Sequence, residues 1–189
     1  MIHRRILAAA ALLLLVAAGS PQHRYRIDPA GSQVSAKVAF FGLASKTAGF
    51  PEMSGGIALE PDRLDAIDLD VTLDARRLVA GDSVTLARLK GPSFFDVEHY
   101  PTVRYVGRRM TMRSDRTADV EGEITARGVT RPAILAVTFD RPPAAATGRE
   151  PISLTGRTTI DRRQFGMTAY SLIVGRHVTI TIRARMVPN

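Results

Sequence analysis

From residue 67 to residue 74 the chain reads Ile, Asp, Leu, Asp, Val, Thr, Leu, Asp, alternating without a break. In an extended strand successive side chains point to opposite faces, so Ile67, Leu69, Val71 and Leu73 share one face and the polar groups share the other. Residues 178–183 repeat the pattern, and Leu135, Val137 and Phe139 alternate with Ala136, Thr138 and Asp140. Further strands are predicted over 25–28, 34–41, 57–60, 103–112, 120–126 and 152–160. One apolar face and one wet face is the mark of antiparallel sheet, because parallel sheets are covered on both sides and read as continuous apolar runs.

Helical spacing is rare. Only 83–90 qualifies, with Val84, Leu86 and Leu89 roughly on one side and Gly91-Pro92 to stop it. Asp82 suits the positive end of that helix, and Ser83 reads as a helix-start hydroxyl. Residues 142–148, Pro-Pro-Ala-Ala-Ala-Thr-Gly, form the one low-complexity stretch and read as an exposed loop between strands. About eight one-sided strands leave edges that must be hidden, and closing into a barrel hides them. The expected fold is all-β: an antiparallel barrel of about eight strands with one short helix. A two-sheet sandwich is the alternative. A barrel of that size either packs solid or holds one slender ligand.

The first residues depart from this pattern. Met1 to Arg5 is a short basic start, Ile6 to Val16 is unbroken apolar sequence, and Ala17, Ala18, Gly19 and Ser20 follow. This is the layout of a secretory signal, with cleavage expected between Ala18 and Ser20. The apolar run is shorter than the about 20 residues of a membrane span, although a retained anchor is the competing reading. The division is therefore a signal peptide at 1–20 and one domain at 21–189, in an exported and soluble periplasmic protein. The chain has no Cys, so stability must come from the core. Its formal charge of +8 stays basic without Arg4 and Arg5, and nearly all of it is scattered Arg. For an exported protein that balance favours transient contact with anionic lipid head groups over nucleic acid, and plain solubility accounts for it equally well.

Catalytic chemistry is hard to assemble from these residues. The histidines beyond the leader are His23, His99 and His177, and there is no H-E-x-x-H, P-loop or G-x-S-x-G pattern. No metal cluster and no cofactor are expected; Asp68, Asp70 and Asp74 read as solvated carboxylates. Gly81-Asp82-Ser83 and Asp96-Val97-Glu98-His99 resemble two blocks of a serine esterase family. There the blocks lie near opposite ends of an α/β chain, whereas here they nearly adjoin in a strand-rich one. An esterase using Ser83 and His99 is kept as the alternative function.

The densest aromatic patch, G-P-S-F-F-D-V-E-H-Y-P at 91–101, is punctuated like a loop. Phe94-Phe95-Asp96-Val97, then Tyr100-Pro101, resembles the F-F-D-V-x-x-Y-P segment of the YceI-like family of exported polyisoprenoid-binding proteins. Tyr25 to Pro29 with Ser32 is similar to that family's opening strand. Gly49-Phe50 with Ser54 to Ile57, Gly122 to Pro132, and Asp161 to Met167 match three more of its blocks in order, with Arg162 in the Arg position of R-x-x-F-G-M. One departure is the helix, where Thr85 to Lys90 lacks the family's His, which puts any head-group contact from it in doubt.

The resemblance implies a lipocalin-like barrel around an apolar tunnel holding a polyprenyl, quinone or fatty-acyl chain, without catalysis. Large, adaptable side chains suit such a lining, and the candidates are Phe40, Phe50, Met53, Phe94, Phe95, Tyr105, Phe139, Phe165 and Met167. Phe40 and Phe41 point to opposite faces of a regular strand, so at most one faces inward. Phe94 and Phe95, in a loop, could both lean over one barrel end. Arg131, Arg162 and Arg163 are candidates for a charged head group at the mouth, against a solvated rim. A homodimer is a further expectation, and a barrel filled by its own side chains is the structural alternative.

Overall fold

The computed structural model describes residues 22–189, so the expected signal peptide and its cleavage site lie outside the described residues. The strands are β1 (His23–Ile27), β2 (Gln33–Phe40), β3 (Ala44–Phe50), β4 (Met53–Glu60), β5 (Arg63–Asp74), β6 (Val79–Ala80), β7 (Thr102–Met112), β8 (Thr117–Ala126), β9 (Val129–Phe139), β10 (Ile152–Asp161) and β11 (Val174–Pro188). Helix α1 spans Ser83–Lys90, where the sequence places it. Every pairing is antiparallel, and the sheet closes on itself through β1 and β11. The result is an eight-stranded closed barrel, not a sandwich.

Eleven segments make eight staves because two staves are broken and the two-residue β6 extends the β5 stave alongside β3. β1 and β2 continue one another across a turn at Pro29–Gly31, and both lie against β11, as in Ile27 opposite Met186 and Val34 opposite Ile182. β3 and β4, parted by Pro51-Glu52, form the stave beside them. Proline has no N–H to give the ladder, so the pairing stops there. The first break is tied down by Arg185, which donates to Asp28 at 2.5 Å, and by the Ser32 hydroxyl, which donates to Asp28 O at 2.7 Å. That carboxylate is held below its ordinary pKa, first by its bond from Arg185.

The alternation sorts the side chains as the pattern requires. On β5, Ile67 and Leu69 are buried, while Asp68 and Asp70 pair outside with Arg108 and Arg104 of β7. The two barrel ends differ. One carries the tight turns at 61–62 and 113–116, the start of β1, the end of β11 and the 140–151 loop. The other carries the β2–β3 turn, the whole 75–101 connection with α1, the Arg127-Gly128 turn and the 162–173 loop.

Candidate functional site

Every stave sends apolar side chains to one axial cavity of about 110 Å³. Its lining runs on β11 through Ile180, Ile182, Ala184 and Met186, which at about 3.3 Å per residue is roughly 20 Å along the strand. Facing them are Leu69 and Val71 of β5, Val120 and Ile124 of β8, and Leu135 and Val137 of β9. The volume is nearer the ~150 Å³ of a dry apolar hole that takes one small ring than the ~300–1,000 Å³ of ordinary ligand pockets. A slender chain fits only as flexible lining side chains move aside, and Met53, Met110 and Met186 are the ones able to do so.

Small inward positions keep the waist open. A Cβ at Gly122 would meet the Tyr105 ring at 2.8 Å, one at Gly107 would meet Val120 at 2.7 Å, and one at Gly156 would meet Leu135 at 3.1 Å. Their lack of side chains is what lets the Tyr105 ring and Leu135 lie inside the barrel. Two hydroxyls reach this lining. Tyr105 donates to Val120 O at 2.9 Å, and burial pushes its pKa up to about 12, so it stays protonated. Thr158 is 9% exposed and lines the cavity.

Of the nine proposed lining residues, Met53, Tyr105 and Phe139 face the cavity. The others stand elsewhere. Phe50 meets Phe95 edge-on with ring centroids 5.7 Å apart, and together they close the helix end of the core. Phe94, Phe165 and Met167 form a separate cluster with Ile124 and Ala126 beneath the 162–173 loop. Phe40 lies in a surface groove beside α1. Phe94 and Phe95 thus both sit over one barrel end but face different clusters, and Phe41 follows β2 in a turn with φ of 51°.

The 91–101 segment also completes α1. Helix carbonyls in the last turn lack intrahelical donors. Here the amide of Phe95 donates to Leu89 O and that of Val97 to Lys90 O, each at 3.0 Å. At the other helix end the Asp82 carboxylate accepts from the Thr85 amide at 2.7 Å and from Lys46 at 2.8 Å, making Asp82 the cap and Ser83 the first helical residue. The His99 imidazole lies 2.9 Å from Asp96, which raises its pKa, and no hydrogen bond joins Ser83 to His99.

The three arginine candidates have different surroundings. Arg131 is exposed and donates to Thr130 O; Arg163 turns to Asp161 at 3.4 Å. Arg162 is 3% exposed, faces no carboxylate at bonding distance, and donates to the carbonyls of Met167, Val174 and Gly175. Its guanidinium carbon also lies 5.8 Å from the Phe94 ring centroid. Arg127, not singled out in the sequence, joins the two cap segments by donating to Gly166 O and Pro92 O at 2.6 and 2.7 Å. A single Arg in a turn carries no pattern that reveals such a reach. Met110 and Met186 were also missed: Met186 continues the inward parity of Ile180, Ile182 and Ala184 on β11, whereas a register shift between Gly107 and Arg109 puts Met110 out of step with Val103 and Tyr105.

Residues 25–186 match the family profile described as a YceI-like domain. A UPF0312 protein of Pseudomonas putida is 27% identical over 168 residues, covering 87% of this chain and 88% of the relative. Among solved structures, Burkholderia cenocepacia BcnA superposes with a TM-score of 0.74 at 21% identity, over 84% of this chain and 98% of that one. A polyisoprenoid-binding domain from Saccharophagus degradans gives 0.69 at 14% identity, over 87% and 98%.

Proposed function

The chain belongs to the YceI-like family, and on that premise we propose that it is a non-catalytic periplasmic carrier of a long-chain isoprenoid or similar amphiphilic lipid. The observation that carries this reading is the axial cavity, with apolar side chains from every stave and no charged group among them. Each methylene taken from water contributes about 0.8 kcal/mol, so a five-carbon prenyl unit contributes about 4. A few units offset the cost of association without any reacting group. Loading such a chain requires contact with a membrane, and the basic charge favours an anionic one. The solved relative described as polyisoprenoid-binding supports the ligand class.

The test is to purify the protein from the periplasm, extract it with organic solvent and weigh what is released. A prenyl, quinone or acyl chain is expected, and Ala184→Phe, which puts a ring into the bore, should release none while remaining folded. A protein that yields no lipid and takes up no prenyl lipid in titration would end the proposal. A barrel packed by its own side chains would then be the better reading.

A further inference from the structure

Large apolar side chains that none of the described residues covers gather at the helix end of the barrel. Leu43 is 102% exposed at the tip of the β2–β3 turn, and Leu172 is 99% exposed in the 162–173 loop. Phe41 and Val84 are 64% and 59% exposed. These side chains belong to one face. The Phe41 amide donates to Ile173 O at 2.8 Å, joining the two turns, and Lys46 of β3 pairs with Asp82 at the start of α1. Arg88 of α1 lies 5.2 Å from the Tyr170 ring centroid, joining the helix to the same loop.

The charge on this face is net basic. Its three segments carry Lys46, Arg88, Lys90 and Arg176. The carboxylates that face them are already engaged, Asp82 by Lys46 and Asp161 by Arg163 and Arg176. Apolar tips that project outward between basic side chains match the layered chemistry of a bilayer surface, with anionic head groups outside and acyl chains beneath. A protein partner of ordinary kind would need a wider patch than a few projecting side chains.

We infer that this end of the barrel docks on an anionic lipid surface, with Phe41, Leu43 and Leu172 entering the acyl boundary and Arg88 and Lys90 meeting the head groups. The inference supplies the carrier with the membrane contact its loading requires, yet it stands on the surface alone. It also explains why the leucines on two neighbouring turns are spent on solvent exposure. The groove between α1 and the 170–174 segment, floored by Leu89 and Phe94, then opens toward the membrane.

The chain contains no Trp, so a single introduced Trp reports its own surroundings. Leu43→Trp and Leu172→Trp should each shift to the blue, and be quenched by brominated acyl chains, on adding vesicles of phosphatidylglycerol and phosphatidylcholine. Ile134→Trp, on the outer flank of β9, should do neither. Vesicles of phosphatidylcholine alone should bind more weakly, and added salt should narrow the difference. Leu43→Asp with Leu172→Asp should lower vesicle partitioning at least about tenfold, since each leucine taken from water contributes more than one tenfold step. That double variant should still carry its extracted lipid, because neither side chain touches the bore. Equal shifts at 43, 172 and 134, or none at 43 and 172, would overturn the inference. So would a shift that needs only more protein, which would make this face a contact between two copies. Vesicle docking by a protein that binds no prenyl lipid would remove the carrier reading and leave this one standing.

Discussion

Halfway along the barrel, Leu69, Val120, Leu135 and Ile182 face one cavity and are placed by strand parity alone. At the helix end, the 162–173 loop and the 91–101 segment are held instead by guanidinium groups that donate to backbone carbonyls. The wall needs only that every second residue be apolar, so it tolerates many sequences and leaves its centre open. The cap has irregular backbone with no ladder of its own, and its carbonyls need donors brought from elsewhere. A wall built by repetition and a cap built by single contacts should respond to mutation in opposite ways.

Arg162→Ala should have the largest effect. It strips donors from the carbonyls of Met167, Val174 and Gly175 and opens a void beside Phe94 and Phe165, at a cost of roughly 3–5 kcal/mol. Chemical denaturation measures the loss. Amide exchange should show it concentrated at 162–175, with the β8–β9 ladder protected until global unfolding. Arg162→Lys should recover only part, because an ammonium cannot span the carbonyls that the planar fork reaches. Uniform loosening of wall and cap would mean the two regions are not separately held.

Gly122→Ala tests the wall in the same way. The new methyl would stand 2.3 Å from Val106 O and 2.8 Å from the Tyr105 ring, and overpacking of this kind costs about 1–3 kcal/mol. Because Tyr105 faces the cavity, displacing its ring should also reduce lipid retention, whereas Arg162→Ala should leave retention by the refolded fraction intact. Thermal melts with and without added prenyl lipid separate the two outcomes.

The same division explains what the sequence made legible. Strand parity located the wall at 67–74, 103–112 and 178–183, and helix stop chemistry located α1. It overlooked β3, because Ala-Ser-Lys-Thr-Ala-Gly-Phe buries only Ala48 and Phe50, and its strand form comes from pairing with β2. Aromatic size suggested the lining, yet Phe50, Phe94, Phe95 and Phe165 sit at the capped end. A second large ring beside Tyr105 would close the bore at the waist, so the other rings are useful where it ends, and aliphatic side chains with inward glycines serve where it stays open. Arg162 was marked as a head-group candidate only as one of the scattered arginines; the contacts that bury it join residues up to 13 apart and follow no local pattern.

Thr158→Val sharpens the reading of the wall with a smaller effect. Thr158 stands in an otherwise apolar stretch of the lining, so exchanging its hydroxyl for a methyl of similar volume should change stability by less than about 1 kcal/mol. If the bound chain places a polar atom at this level of the bore, the variant should keep less lipid on extraction. Unchanged retention assigns recognition to the apolar wall and the volume alone.

The smallest effect belongs to the cap, at His99. Its ring is exposed and lies 2.9 Å from the Asp96 carboxylate, whose hydrogen bond and charge raise the imidazole pKa above its ordinary value. A raised value means that the folded chain holds this proton more tightly than the unfolded one. The contact therefore stabilises the 91–101 segment fully at pH below the ordinary histidine range, and that contribution fades as pH rises through the raised value. A proton NMR titration should place the His99 midpoint above that of an unhindered histidine, and Asp96→Asn should return it. Amide exchange at 94–101 should quicken slightly across the same interval in the wild type and stay flat in the variant. A midpoint at the ordinary value would show that backbone bonds to α1 hold this part of the cap unaided, which would draw it closer in kind to the wall.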